Sequence, residues 1–148
     1  MKKIVFIIFY VFSIFILSSC ARKSNPSNSA EYYFKLANKK DSLGETRDAL
    51  TNIDKAISLS PKVAKYYCKK GILLQYLGEI DRKYYYKALN NMDTAILINP
   101  TYAEAYFDRG IIKLNMKLVD EACLDIQKAR QLGFNDSTNV FENSCSKN

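Results

Sequence analysis

Three tyrosines, Tyr33, Tyr67 and Tyr106, each stand near the start of a stretch with helical hydrophobic periodicity. Behind each follows a pair of alanines seven positions apart: Ala49 and Ala56, Ala88 and Ala95, Ala122 and Ala129. The first two units close on Leu59-Ser60-Pro61 and Ile98-Asn99-Pro100. A recurrence of about 34 residues that contains two amphipathic helices marks a stacked helical repeat. One such unit cannot bury its own apolar stripe, so neighbours must stack into one continuous core with a curved outer surface. That surface suits holding another molecule better than transforming one.

The interval breaks once. Tyr33 and Tyr67 are 34 apart but Tyr67 and Tyr106 are 39 apart, whereas Ala49 to Ala88 is 39 and Ala88 to Ala122 returns to 34. Gly44 to Gly78 is 34, so the five extra residues lie within 79–87, a segment that holds Arg82, Lys83, Lys87 and the run Tyr84-Tyr85-Tyr86. Insertions in such arrays fall in turns. Either the turn inside unit two is longer or its second helix starts a turn early.

The units read as 30–61, 62–100 and 101–134. In unit one Ser29 is the expected N-cap, Tyr33, Phe34, Leu36 and Ala37 make an apolar face, and Gly44 breaks the helix. Ala49, Leu50, Ile53, Ala56, Ile57 and Leu59 then follow i, i+3, i+4, i+7 spacing. Units two and three repeat this arrangement. Val140 lies one regular interval beyond Tyr106, so 135–148 reads as a cap and tail, with a stub of a fourth opening helix capped by Asp136 or Ser137.

Small residues where the paired helices meet (Ala37, Gly71, Gly110 and the six alanines), an aromatic near each start and two closing prolines resemble the tetratricopeptide repeat. The match covers 30–134. Its departures are tyrosine in place of the usual tryptophan, and Lys70 and Arg109 where unit one keeps Leu36. The resemblance implies an all-α fold: a right-handed solenoid of three helical hairpins plus a short C-terminal capping helix. It also implies a concave groove lined by the opening helices, where a partner's peptide would lie. Carried over position by position, the lining is Phe34 and Asn38; Lys65, Cys68, Ile72, Gln75 and Tyr76; and Glu104, Phe107, Ile111, Leu114 and Asn115. Members that clamp a C-terminal carboxylate use a lysine where Phe34 stands and basic groups where Glu104 and Asp108 stand, so that clamp is not expected.

The N-terminus carries a separate signal. Lys2-Lys3, the apolar run from Ile4 to Leu17 broken only by Ser13, and Ser18-Ser19-Cys20 have the order of an export segment over 1–19. The run is shorter than the roughly 20 apolar residues of a spanning helix. Leu17-Ser18-Ser19-Cys20 resembles a bacterial lipobox, which implies cleavage before Cys20 and acylation of that cysteine, as with palmitate. Ala21 rather than aspartate follows, which leans towards the outer membrane. Residues 20–29 then form a polar tether, and the domain would ride close to the bilayer of a bacterial cell envelope.

Composition narrows the chemistry. The chain has 148 residues, four cysteines and no histidine. That excludes Ser-His and Cys-His nucleophile pairs, and with no Cys-x-x-Cys pair neither a zinc site nor any other metal or cofactor is expected. No glycine-rich phosphate loop is present, so no catalytic residue is assigned and the chain is not read as an enzyme. With Cys20 lipidated, Cys68, Cys123 and Cys145 remain. Cys123 sits on the last closing helix, on a side that meets the stub bearing Cys145, and either a bridge or two buried thiols fit that placement. The net charge of +7 and the patch Arg82, Lys83 and Lys87 raise a second reading, a structural or membrane-surface component that binds anionic lipid or a polyanion through the tyrosine-rich insertion. Export argues against nucleic acid as partner. None of these features sets an oligomeric state.

Overall fold

The computed structural model describes residues 28–135 and 139–145, with Phe141 and Glu142 described by backbone alone. The export segment, Cys20, most of the tether, and the capping residues Asp136 and Ser137 lie outside the described residues. Seven helices follow one another: α1 Ala30–Ser42, α2 Thr46–Leu59, α3 Ala64–Gly78, α4 Lys83–Ile98, α5 Ala103–Asn115, α6 Val119–Gln131 and α7 Val140–Ser144. None of them is long and apolar enough to cross a membrane. The tightest neighbours are α1 with α2, α3 with α4, and α5 with α6. Each pair rests on the next through α2 and α3, then α4 and α5, and the opening helices α3 and α5 also touch.

Local chemistry sets the helix ends. Ser29 is extended and its hydroxyl accepts the Tyr32 N–H at 3.1 Å, a cap that contributes about 1 kcal/mol. Gly44, at φ 74°, turns the chain after α1, and Gly133, at φ 90°, does so after α6, where a side chain would be strained. After α5 the same left-handed turn falls on Lys117, at φ 65°.

The paired helices approach closely because of what is missing between them. A Cβ on Gly71 would lie 3.3 Å from the Ala88 carbonyl oxygen and 2.8 Å from Met92 Cε. On Gly110 it would lie 3.1 Å from the Ala122 carbonyl oxygen and 2.6 Å from Ile126 Cγ1. Ala49, Ala56, Ala88, Ala95, Ala122 and Ala129 are all fully buried. One cluster gathers Ala37, Ile53, Tyr66 and Leu73, a second gathers Leu74, Met92, Ala105, Ile112 and Met116, and Leu50 packs against both.

Both expectations for the insertion are realised together. Relative to unit one, α3 runs two positions further, the turn 79–82 gains one, and α4 starts two earlier. Gly78, expected to end its helix as Gly44 does, instead closes α3 with its Cα against Tyr85, whose ring atoms would meet a Cβ at 2.5–2.9 Å. Tyr85 is thus buried, Tyr84 half-buried, and Tyr86 exposed.

The two departures at Lys70 and Arg109 are one device used twice. Each reaches back to the preceding closing helix: Lys70 Nζ to Asp54 at 2.7 Å, and Arg109 Nη1 to Asp93 at 2.6 Å. At the second junction the pair grows into a cluster. Arg109 also donates to both oxygens of the buried Asp125, at 2.8 and 2.5 Å, and Lys113 Nζ stands 2.8 Å from the same carboxylate. Burial alone would lower the Arg109 pKa, but its hydrogen bonds to Asp125 and Asp93 outweigh burial and raise it.

At the far end Cys123 and Cys145 form a disulfide, with Cα atoms 5.4 Å apart and a sequence separation of 22. It fastens α7, which packs on α6. The helix begins at Val140, after the left-handed Asn139 at φ 52°.

Asp125→Ala should lower the unfolding free energy by about 3 kcal/mol, because it removes the buried carboxylate that Arg109 and Lys113 share and leaves them only the exposed Asp93 and Glu121. Lys70→Ala should cost less than about 1 kcal/mol, as exposed pairs do; urea denaturation of both variants measures the contrast. Reduction should remove about 3 kcal/mol, as for a loop of this size. It should appear as a lower melting temperature in dithiothreitol and a gain of about 2 Da in intact mass, the two hydrogens of one reduced bridge.

Candidate functional site

The opening helices α1, α3 and α5 place equivalent residues side by side. Phe34, Cys68 and Phe107 form one row; Asn38, Ile72 and Ile111 the next; then Gln75 with Leu114, and Tyr76 with Asn115. Ile72, Gln75, Ile111 and Leu114 are partly buried, Asn38 is half-buried, and Tyr76, Glu104 and Asn115 are exposed. Ile72 packs on the second core cluster and keeps an exposed side. This open aliphatic strip across units two and three is the middle of the candidate groove.

One expected lining residue, Cys68, is placed differently, and two more, Phe34 and Phe107, are partly covered. Cys68 is 1% exposed and belongs to the core, because its short side chain sinks between α3 and α5. Phe107 is covered by Phe134, whose ring stacks on it at 4.4 Å. Phe34 packs on the first core cluster and against Tyr66, with ring centroids 5.1 Å apart.

The lysines of α3 are largely spoken for. Lys65 Nζ lies 2.9 Å from Glu31 and 4.8 Å from the centre of the Phe34 ring, and Lys69 Nζ lies 2.6 Å from Asp41. Lys65 holds the Glu31 carboxyl below the ordinary range. In the insertion, Lys83 pairs with Asp81 at 2.5 Å, and Lys83 and Lys87 both lie over the Tyr84 ring. Within the expected basic patch of Arg82, Lys83 and Lys87, Lys83 is thus paired, and Glu79 stands nearby in sequence.

The sequence reading did not single out the junction between α3 and α5. The Cys68 thiol donates to Asp108 Oδ2 at 3.4 Å, and Tyr102 donates to Glu104 Oε2 at 2.9 Å. Ligand atoms of Cys68, Glu104 and Asp108 lie within 4.8 Å of one another. Burial pushes the Asp108 carboxyl up to about 6; Glu104 adds to this, while the Cys68 hydrogen bond and Lys69 oppose it. Burial, then Asp108 and Glu104, raise the Cys68 thiol, and burial also raises Tyr102. The thiol therefore stays protonated near neutrality, a poor state for a metal ligand or nucleophile. The repeat spacing could have brought these residues together, since Cys68 and Asp108 lie one position apart in register.

No protein-family model matches the sequence, and no curated protein does. Solved structures do. The Arabidopsis OM64 TPR domain superposes with a TM-score of 0.70 at 23% identity, covering 78% of this chain and 92% of that one. The first TPR of Spaghetti (RPAP3), bound to the HSP90 peptide SRMEEVD, gives 0.69 at 21% identity over 78% and 88%. The chain has the tetratricopeptide-repeat fold. Its hairpins stack as a right-handed solenoid, in agreement with the expected fold class. MamA is similar at 29% identity and a TM-score of 0.63, over 72% of this chain and 59% of the MamA chain.

The raised Asp108 value fixes the sign of a pH effect. The folded chain binds that proton more tightly than the unfolded chain, so the stabilising contribution is full below about pH 4 and is lost as pH rises through about 6. Wild type should therefore lose stability relative to Asp108→Asn between pH 4 and 6.5. Thermal melts of both proteins across that range provide the check.

Proposed function

We propose that this chain is a lipid-anchored interaction scaffold of the bacterial cell envelope, which holds a partner protein by a peptide segment laid along its opening helices. The observation that carries the reading is the strip Ile72, Ile111 and Leu114, apolar side chains left partly open on the face formed by α3 and α5. Apolar anchors beside the amides Asn38, Gln75 and Asn115 suit a ligand held by pockets and hydrogen bonds. Related folds use such modules for peptides: both RPAP3 repeats were solved with SRMEEVD, and the yeast Sti1 TPR2B domain with pHsp70. The groove here has Phe34 and Glu104 where a clamp for an acidic peptide would need cations, so a different sequence is held.

The anchor rests on the order of Lys2-Lys3, the apolar run and Leu17-Ser18-Ser19-Cys20, with an outer-membrane address suggested by Ala21. A disulfide between Cys123 and Cys145 is in keeping with an oxidising compartment. Catalysis has little to work with, since the thiol and carboxyl that meet, Cys68 and Asp108, do so largely away from solvent.

Cells fed radiolabelled palmitate should label the wild-type chain and leave Cys20→Ser unlabelled and unanchored. A photo-crosslinker at Gln75 should trap one envelope protein, and Ile72→Asp with Ile111→Asp should abolish the product while circular dichroism stays unchanged. An undiminished crosslink in that double variant would remove the groove from the reading.

A further inference from the structure

Charge alternates along the row of opening helices: Glu31 on α1, Lys65 on α3, Glu104 on α5. A second row runs beside it, with Lys69 on α3 and Asp108 on α5 in equivalent places. At the first junction the signs meet and cancel, Lys65 with Glu31 and Lys69 with Asp41. At the second junction these lysines are already engaged, and the polar contacts of Asp108 and Glu104 are the Cys68 thiol and the Tyr102 hydroxyl. The next unit would have to supply the cation. One regular interval further along the sequence, positions 138 and 142 are a threonine and a glutamate, neither of them a cation.

We infer that the α5 end of the groove recognises a cationic partner segment, a lysine or arginine that meets Glu104 and Asp108 while adjacent aliphatic side chains lie on Ile72, Ile111 and Leu114. The inference rests on the groove reading above and names the chemistry of its ligand. Glu104, Asp108, Ile111 and Asn115 are spaced at i, i+4, i+7 and i+11, so one stripe of α5 presents two carboxylates and then an aliphatic and an amide. The groups facing Asp108 are Cys68 and Lys69 from α3 and Glu104 from α5, and Lys69 is the one cation acting on it among the described residues. Burial is the main cause of its raised proton affinity, and the neighbouring Glu104 carboxylate adds to it. An arginine would bridge both carboxylates with a forked set of donors. Its loss should weaken binding by roughly tenfold or more, the scale of one charge-assisted hydrogen bond.

The test is selection of random phage-displayed dodecapeptides on the full-length protein held in detergent, with affinities of the best peptides then read by fluorescence anisotropy. Selected peptides should be enriched in lysine and arginine beside aliphatic residues and depleted in aspartate and glutamate. Their affinity should fall about tenfold or more in Glu104→Gln with Asp108→Asn, and should weaken from pH 7.5 to 5 as Asp108 takes up its proton. Glu104→Gln alone, at an exposed position, keeps the comparison valid should the double variant fail to fold. Acidic or uncharged peptides that bind wild type and are lost in Ile111→Asp would overturn the cationic specificity and leave the groove standing. Basic peptides that bind both carboxylate variants undiminished would overturn it as well. Failure to select any peptide would overturn the groove and the specificity together.

Discussion

Everything in this molecule depends on how near the two helices of a unit can come. At Gly71 and Gly110 the missing Cβ lets a closing-helix carbonyl lie within about van der Waals reach of the opening helix, and the facing alanines leave no room to spare. Such proximity brings Met92 and Ile126 across the gap as the large fillers of otherwise small-residue seams. A repeat protein is held by contacts between neighbours in a line, so the tightness of each seam sets the spacing of the next. The rows of equivalent side chains on α1, α3 and α5 stay in register because that spacing hardly varies.

The insertion shows how the array absorbs an error in its own period. Five added residues could have made a floppy loop, but they are divided between two helix ends and one turn. Gly78 and Tyr85 then lock the longer helices against each other, ring on backbone. The alanine ladder of unit two is therefore undisturbed, and α4 still meets the opening helix α5 as α2 meets α3.

The fold was legible because its signals are periodic. Alanines seven apart, tyrosines at a near-constant interval and closing prolines each reflect a local packing rule, and those rules act on neighbours in sequence. The groove was legible in outline only. Cys68 stands in register with Phe34 and Phe107, and register alone does not say that a small thiol sinks where a ring stays up. Phe107 is covered by Phe134, which lies beyond the last closing helix and stands where the first two units close on proline, so its register gave no hint of a ring contact. The lysines of α3 crowd together in the sequence, while their partners, Glu31, Asp41 and Asp54, sit in a different unit. Pairing across units depends on side-chain reach, which spacing does not carry.

The two junctions differ in strength in a way that matters under tension. Unit one is joined to unit two by separate ion pairs that stay partly open to solvent. Unit two is joined to unit three by the Arg109 cluster around a buried carboxylate, with a covalent clasp just beyond. A pull exerted through the N-terminal segment therefore loads the weaker joint first. Unit one would peel away, while the carboxylates of α5 and the strip beside them stay assembled. The array is in this sense a fuse at one end and a grip at the other.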